Sequence, residues 1–257
     1  MLELDSAQIG GWISSFLLPL FRIGSMLMVM PIIGTQLVPG RVRLYLALAF
    51  TLALAPVLPP MPQVDALSRQ AILLIAEQII IGVLMGFSLQ LMFHIFVFAG
   101  QLISMQMGLG FASLMDPAPG VSVPLLGQFL LMLITLLFLA VNGHLVAFEI
   151  MAESFTTLPV GQTLDSGHYA VLASQLAWVI GAALLFSLPA VSALLVINIA
   201  FGVMTRAAPQ LNIFTIGFPL TLVMGMVIFW ISTAETLTHF QIIATQALAL
   251  MSSFVLQ

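Results

Sequence analysis

Long apolar runs separated by short, more polar connections form most of the chain. A helix needs about 20 residues to cross the hydrocarbon core of a bilayer, and runs near or above this length recur along the sequence. We therefore predict an all-α, polytopic membrane protein of about six hydrophobic helical segments. These are residues 11–30, 43–58, 71–100, 125–147, 170–203 and 213–233, followed by an amphipathic tail to residue 257.

The connection between the third and fourth segments differs from the others. Residues 101–124 read QLISMQMGLGFASLMDPAPGVSVP, with a single charge. The glycines give the backbone freedom and the prolines forbid a continuous helix. Loops at a membrane surface are usually polar, so an apolar break indicates backbone held against protein or inside a cavity. We predict that this segment is a plug or a gate.

The composition agrees with a membrane protein. Of 257 residues, 61% are hydrophobic and 5% are charged, far from the roughly 25% charged residues of globular domains. With five basic residues, all Arg, and a net charge of −4, the chain has no basic surface for nucleic acid. Cysteine is absent, which excludes disulfides and thiolate metal sites. Glu3 and Asp5 precede the first run without a basic residue, so we expect that run not to be a cleaved signal peptide.

The arginines predict an orientation. If all six segments cross the bilayer, both termini lie on one side, and Arg41, Arg43 and Arg206 share the opposite face. The positive-inside rule makes that face cytoplasmic. The apolar break at 101–124 and the connection at 204–212 would then both face the cytoplasm.

Three ionisable side chains lie inside apolar runs: Arg22, Glu77 and His94. An unpaired charge in such a place costs at least about 2.5 to 3.5 kcal/mol. Glu77 and His94 could relay protons, and Arg22 could form an internal ion pair with Glu77. The alternative, which we favour, is that each side chain points into a protein interface or a wet cavity and only fixes packing.

Residue spacing argues against catalytic, cofactor and metal sites. His144 and Glu149 are five residues apart, whereas helical zinc motifs place two His four apart. The sequence around Ser88 lacks the pattern of a nucleophile elbow. Gly108 and Gly110 lack the third glycine of a dinucleotide motif, and there is no phosphate loop. We therefore predict no enzymatic activity and no nucleotide hydrolysis in this chain.

Two further patterns concern packing. Gly82 and Gly86 lie on one helix face and permit a neighbouring helix to approach closely. The chain has 16 methionines, most of which we interpret as apolar filler. Met105, Met107 and Met115 are different because they lie on the apolar break, where unbranched side chains could form a deformable seal.

Four stretches of this sequence resemble the FliR/SctT family of type III secretion export-gate membrane proteins. They occur in the family's order and spacing, and the resemblance runs over essentially the whole chain. The tripeptide GFP at 217–219 is more similar to the flagellar branch than to the injectisome branch. The four stretches are RIGSMLMVMPIIGTQLVPGRVRLYLALAFTLALAP (22–56), AGQLISMQMGLGFASLMDPAPG (99–120), VNGHLVAFEIMAESFTTLPVG (141–161) and FGVMTRAAPQLNIFTIGFPL (201–220).

The resemblance implies a fold and a set of partners. Residues 1–165 would form a FliP-like helical part that includes the plug, and residues 166–257 a FliQ-like helical hairpin. The protein would be a subunit of the flagellar export gate in the bacterial inner membrane, at the basal body. Its partners would be FliP, FliQ and FlhB, its cargo unfolded flagellar proteins, and it would need no cofactor.

The resemblance also implies two sites. The family's pore plug corresponds here to Gln106, Met107, Gly108, Leu109, Gly110, Phe111, Ala112, Ser113, Leu114, Met115, Asp116 and Pro117. The hairpin tip that would contact FlhB corresponds to Arg206, Pro209, Gln210 and Asn212. The alternative function is a secondary transporter of a small solute, built on interrupted helices in two related halves. The break at 101–124 has no evident partner of that kind.

Overall fold

The computed structural model describes residues 13–62, 64, 68–110, 125–162, 166–208 and 217–255, and within these ranges the chain is helical without strands. The prediction of an all-α membrane protein with about six hydrophobic helical segments is confirmed. A π-helical turn at Ile13–Leu17 leads into the first helix. The helices are α1 (Leu18–Val29), α2 (Gly40–Leu54), α3 (Arg69–Gln106), α4 (Leu125–Ala140), α5 (Gly143–Thr157), α6 (Ser166–Ala207), α7 (Phe218–Ser232) and α8 (Thr236–Ser253).

Helix lengths correct the expected number of membrane crossings. Among the described residues, α3, α6 and the continuous run Phe218–Ser253 are long and apolar enough to cross a membrane, and α4 with α5 makes a fourth candidate. By contrast, α1 has 12 residues and α2 has 15. By length and composition, the described residues therefore give three or four candidate crossings rather than six. The orientation derived from the arginines depended on that count and loses this support.

One predicted segment is split. The pattern predicted a single run over 125–147, but α4 ends at Ala140 and α5 begins anew at Gly143. Between them Asn142 takes the left-handed conformation, with φ of 58°, which asparagine tolerates better than most residues. The helix is thus broken inside an apolar run.

The chain forms two compact units, which interleave along the sequence. The first contains residues 1–91, 142–174 and 245–257. Within it α1 and α3 approach closely: a Cβ atom on Gly86 would lie 2.7 Å from the carbonyl oxygen of Met26, and one on Gly82 would overlap the carbonyl of Arg22. The predicted role of these two glycines in close helix packing is confirmed.

The second unit contains residues 92–141 and 175–244. Edge-to-face aromatic pairs connect its helices, with ring centroids 5.6 Å apart for Phe93 and Phe138 and 5.3 Å apart for Phe96 and Phe186. At Gly100 the backbones of α3 and α4 touch, since a Cβ atom there would lie 2.6 Å from the Cα of Gly127. This unit holds the end of α3, from which the predicted plug continues.

Candidate functional site

The carboxyl end of α3 is closed by a Schellman motif. Gly108 has φ of 82°; its N–H donates to the carbonyl of Met105 over 3.1 Å, and the N–H of Leu109 donates to the carbonyl of Ser104 over 3.0 Å. A left-handed glycine with these two bonds satisfies carbonyls that a helix end would otherwise leave without donors. The predicted plug therefore begins at a defined helix stop.

A side chain of α6 satisfies the last carbonyl of α3. The Nδ2 of Asn198 donates a hydrogen bond to the carbonyl of Gln106 over 3.2 Å. The N–H of Met107 donates to the carbonyl of Ile103 over 3.0 Å. Together with the Schellman bonds, these give a donor to each of the last four carbonyls of α3, and they attach its end to α6.

A contact with α7 fixes the same point from another direction. The side chain of Met107 is fully buried, whereas that of Met105 is 68% exposed. Met107 lies against Gly225 so closely that a Cβ atom on Gly225 would stand 2.5 to 2.9 Å from its Cγ, Sδ and Cε atoms. A Cβ atom at position 225 would therefore force the Met107 side chain to shift. The glycine in α7 allows Met107 to take the position seen here.

Arg22 is fully buried, and the expected ion pair with Glu77 is not formed. Its Nε donates to the Oε1 of Gln78 over 2.7 Å, its Nη1 to the carbonyl of Ser154 over 2.8 Å, and its Nη2 to the carbonyl of Leu158 over 3.0 Å. The two carbonyls lie at the end of α5, where the helix dipole places partial negative charge. The helix end compensates the cation, so no carboxylate is needed.

The ring of Phe155 completes the surroundings of Arg22. The guanidinium carbon lies 4.4 Å from the ring centroid, within the range of a cation–π interaction. The side chain thus joins α1 to both α3 and α5 within the first unit. Its contacts are those of a structural clamp, in agreement with the alternative we favoured for this residue.

Glu77 and His94 have different surroundings. The carboxylate of Glu77 is half-buried, and its Oε2 atom has no hydrogen-bond partner among the described residues. The His94 side chain is exposed although its sequence neighbours are buried, and its ring centroid lies 6.2 Å from that of Phe98. A proton relay through either residue stays a prediction.

Comparison with known proteins identifies the family. The model of the family described as bacterial export proteins, family 1, matches residues 13–247. The chain belongs to this family. This match, together with the flagellar relatives described next, confirms the resemblance to FliR that the four stretches predicted.

Several flagellar relatives cover most of the chain. The flagellar biosynthetic protein FliR of Escherichia coli (strain K12) is 40% identical over 227 residues, which are 88% of this chain and 87% of the relative. The protein of the same name from Pectobacterium carotovorum subsp. carotovorum is 37% identical over 227 residues, with the same coverage of 88% and 87%. That of Bacillus subtilis (strain 168) is 27% identical over 217 residues, or 83% of each chain.

The structure places part of each predicted export-gate site. Gln106 to Gly110 lie at the end of α3, and Arg206 lies in the last turn of α6. The other residues of the two sites lie outside the described residues: Phe111, Ala112, Ser113, Leu114, Met115, Asp116, Pro117, Pro209, Gln210 and Asn212.

Two residues of this bacterial export protein could not be predicted from the sequence as part of the site. Asn198 and Gly225 contact the start of the predicted plug, but each lies far from it in the sequence. The only available signal was an isolated asparagine inside the apolar run ALLVINIAFG. An amide partly removed from water in such a run needs a partner, but the sequence does not reveal which one.

Proposed function

We propose that this chain is a subunit of the flagellar type III export gate, needed for flagellum assembly, and that it lines and closes a conduit for unfolded flagellar proteins. The relatives named flagellar biosynthetic protein FliR support a place in the flagellar export apparatus. The observation that carries the gate role is the closed end of α3, where every terminal carbonyl has a donor immediately before the apolar break.

In the resting gate, residues 106–117 occlude the conduit. This segment seals by packing, because its methionine, leucine, phenylalanine and glycine residues offer many weak dispersion contacts. Contacts of this kind separate without breaking strong hydrogen bonds, so a passing chain can displace the segment. Asp116 is its one charged residue.

The assembled gate contains FliP and FliQ, with FlhB docking at the tip formed by Arg206, Pro209, Gln210 and Asn212. It lies in the bacterial inner membrane at the flagellar basal body. In this proposal residues 1–165 form a FliP-like helical part and residues 166–257 a FliQ-like hairpin. Large apolar side chains on the long helices are exposed in the single chain; Leu185 of α6 is 71% exposed and Trp230 of α7 is 75% exposed. Their exposure supports contact of these helices with lipid or neighbouring subunits.

The role is structural rather than catalytic. A secondary transporter would use comparable helix breaks in two related halves. The break at Asn142 is separated from the 101–124 break only by α4. The two breaks therefore do not occupy corresponding positions in two related halves of the chain. The family match also favours export over solute transport.

Deleting residues 113–117 tests the proposal. In a complex co-expressed with FliP and FliQ and reconstituted in planar bilayers, we expect the deletion to raise ion conductance, because it removes part of the seal. The control is copurification: the shortened chain must still assemble with both partners. Unchanged conductance in an intact complex would contradict the plug, and a chain that purifies alone would contradict the gate subunit.

A further inference from the structure

The end of α3 is held by two contacts that do not depend on each other. We propose that Asn198 and Gly225 are positioning residues that anchor Gln106 and Met107, and that this anchor stays closed while the gate opens. The inference rests on the proposed function, since it assigns the fixed end from which the plug moves.

The hydrogen bond from Asn198 resists separation of α3 from α6. The carbonyl of Gln106 is the last one of the helix and has no partner one turn ahead within it. Its donor is a side chain 92 residues away in sequence. Withdrawing α3 would break this hydrogen bond between two part-buried groups, and polar groups partly removed from water are disfavoured when they lack a partner.

The contact between Met107 and Gly225 resists separation of α3 from α7. Met107 has no exposed surface, and its last three side-chain atoms reach the space that a Cβ atom would occupy on Gly225. Such close approach maximises dispersion contacts, which fall off steeply with a gap of even an ångström. Moving the end of α3 would open a void beside Gly225.

The anchored stretch ends at Gly108. This glycine takes the left-handed conformation, with φ of 82°, and residues at helix ends are typical positions for a hinge. In the preceding turn Ile103 and Ser104 are also buried, whereas Met105 is largely exposed, so Gln106 and Met107 are the last residues of a packed helix end. The anchor therefore separates a fixed helix from the start of the plug.

Cysteine labelling tests whether the anchor stays closed. The chain has no cysteine, so Met107→Cys and Ser113→Cys each introduce a unique thiol into it. Each variant is co-expressed with FliP and FliQ and treated with a water-soluble maleimide, with and without an export substrate stalled by a fused folded domain. We expect the stalled substrate to increase labelling of Ser113→Cys several-fold, while Met107→Cys stays protected in both states.

The outcomes separate the two proposals. Labelling of Met107→Cys, in either state, together with a response at Ser113→Cys overturns the anchor but leaves the plug intact. No change at Ser113→Cys contradicts the proposed plug, and the anchor with it. Protection of Met107→Cys alongside a response at Ser113→Cys supports both.

Substitution of Gly225 tests whether the anchor is needed at rest. Gly225→Ala would push Met107 away, so we expect several-fold higher resting conductance of the assembled complex. Gly181→Ala is the matched control, since a Cβ atom on this glycine of the same unit would have nothing within 4 Å. Wild-type conductance of an assembled Gly225→Ala complex overturns the anchor; if assembly fails, the labelling of Met107→Cys decides.

Discussion

At the scale of single residues, the surroundings of Arg22 show how a buried cation is compensated without an acid. The guanidinium contacts an amide oxygen, a hydroxyl, two helix-end carbonyls and an aromatic ring. The α5 carbonyls are acceptors that the helix itself leaves available or shares. Arg22, which lies within α1, therefore caps the carboxyl end of α5.

Replacement of Arg22 should destabilise the fold. Arg22→Leu leaves the Gln78 oxygen and the Leu158 carbonyl without this donor, and we expect the free energy of unfolding to fall by about 1 to 3 kcal/mol. Arg22→Lys should be intermediate, because one ammonium group cannot reach acceptors arranged for a planar guanidinium. Thermal or denaturant unfolding of the purified complex measures both changes. Wild-type stability for Arg22→Leu would show that the clamp is unimportant.

Two adjacent residues distinguish the observed partner of Arg22 from the expected one. Gln78→Leu leaves the Nε of Arg22 without its acceptor, so stability should fall by about 1 to 3 kcal/mol. Glu77→Gln neutralises a half-buried carboxylate that does not contact Arg22, so it should change stability by no more than about 0.5 kcal/mol, or increase it. The same unfolding measurement compares them. A larger loss of stability for Glu77→Gln than for Gln78→Leu would indicate that Glu77 is the partner of Arg22 and would contradict the structure.

The sequence was sufficient to predict that Arg22 needs a partner but not which one. The residues it binds are 56 to 136 positions away. Charge complementarity favoured Glu77, yet its neighbour Gln78 has the orientation on α3 that reaches the guanidinium. Helix phase, rather than charge, decided between these two neighbours.

At the scale of helices, glycines set how closely α1 and α3 pack. The backbone of α1 occupies the space beside Gly82 and Gly86 that side chains would fill. The spacing of four residues predicted this face correctly, because residues four apart lie one above the other on a helix. A pattern within one helix was enough to predict the contact surface, though not the identity of the partner helix.

Adding one methyl group to this surface should separate the helices. Gly82→Ala would overlap the carbonyl of Arg22, and we expect it to lower the free energy of unfolding by about 1 to 3 kcal/mol. Gly24→Ala is the control in the same unit, since its Cβ would lie 3.8 Å from the Cβ of Ala47, an ordinary contact. Denaturant unfolding of the two variants should differ clearly; equal stabilities would contradict the close packing.

The break between α4 and α5 was not predicted, although a signal was present. Hydropathy joined 125–147 into one run because leucines dominate α4. The dipeptide Asn142–Gly143 within it is a common turn signal, and Asn142 indeed takes the left-handed conformation. Mean hydropathy measures how apolar a segment is. It does not detect a residue at which the helix ends and a new one begins.

At the scale of the whole molecule, composition and the order of four stretches predicted the fold class and the family. The number of crossings could not be predicted in the same way, because an apolar run may end in a short helix such as α1 or extend into a long one. The 38 residues of α3 correspond to about 57 Å, nearly twice the hydrocarbon thickness of a bilayer. Long-range pairs such as Asn198 and Gln106 also require the folded chain.

Contact between the plug and cargo tests the central claim most directly. A photo-crosslinking amino acid is placed at Phe111 in the assembled complex, with an export substrate stalled in the conduit, and at Met107 as the buried control. If residues 106–117 occlude the conduit, we expect a crosslink from position 111 to the stalled substrate and none from position 107. Crosslinks from position 111 only to lipid, with none to substrate, would contradict a plug in the path of the exported chain.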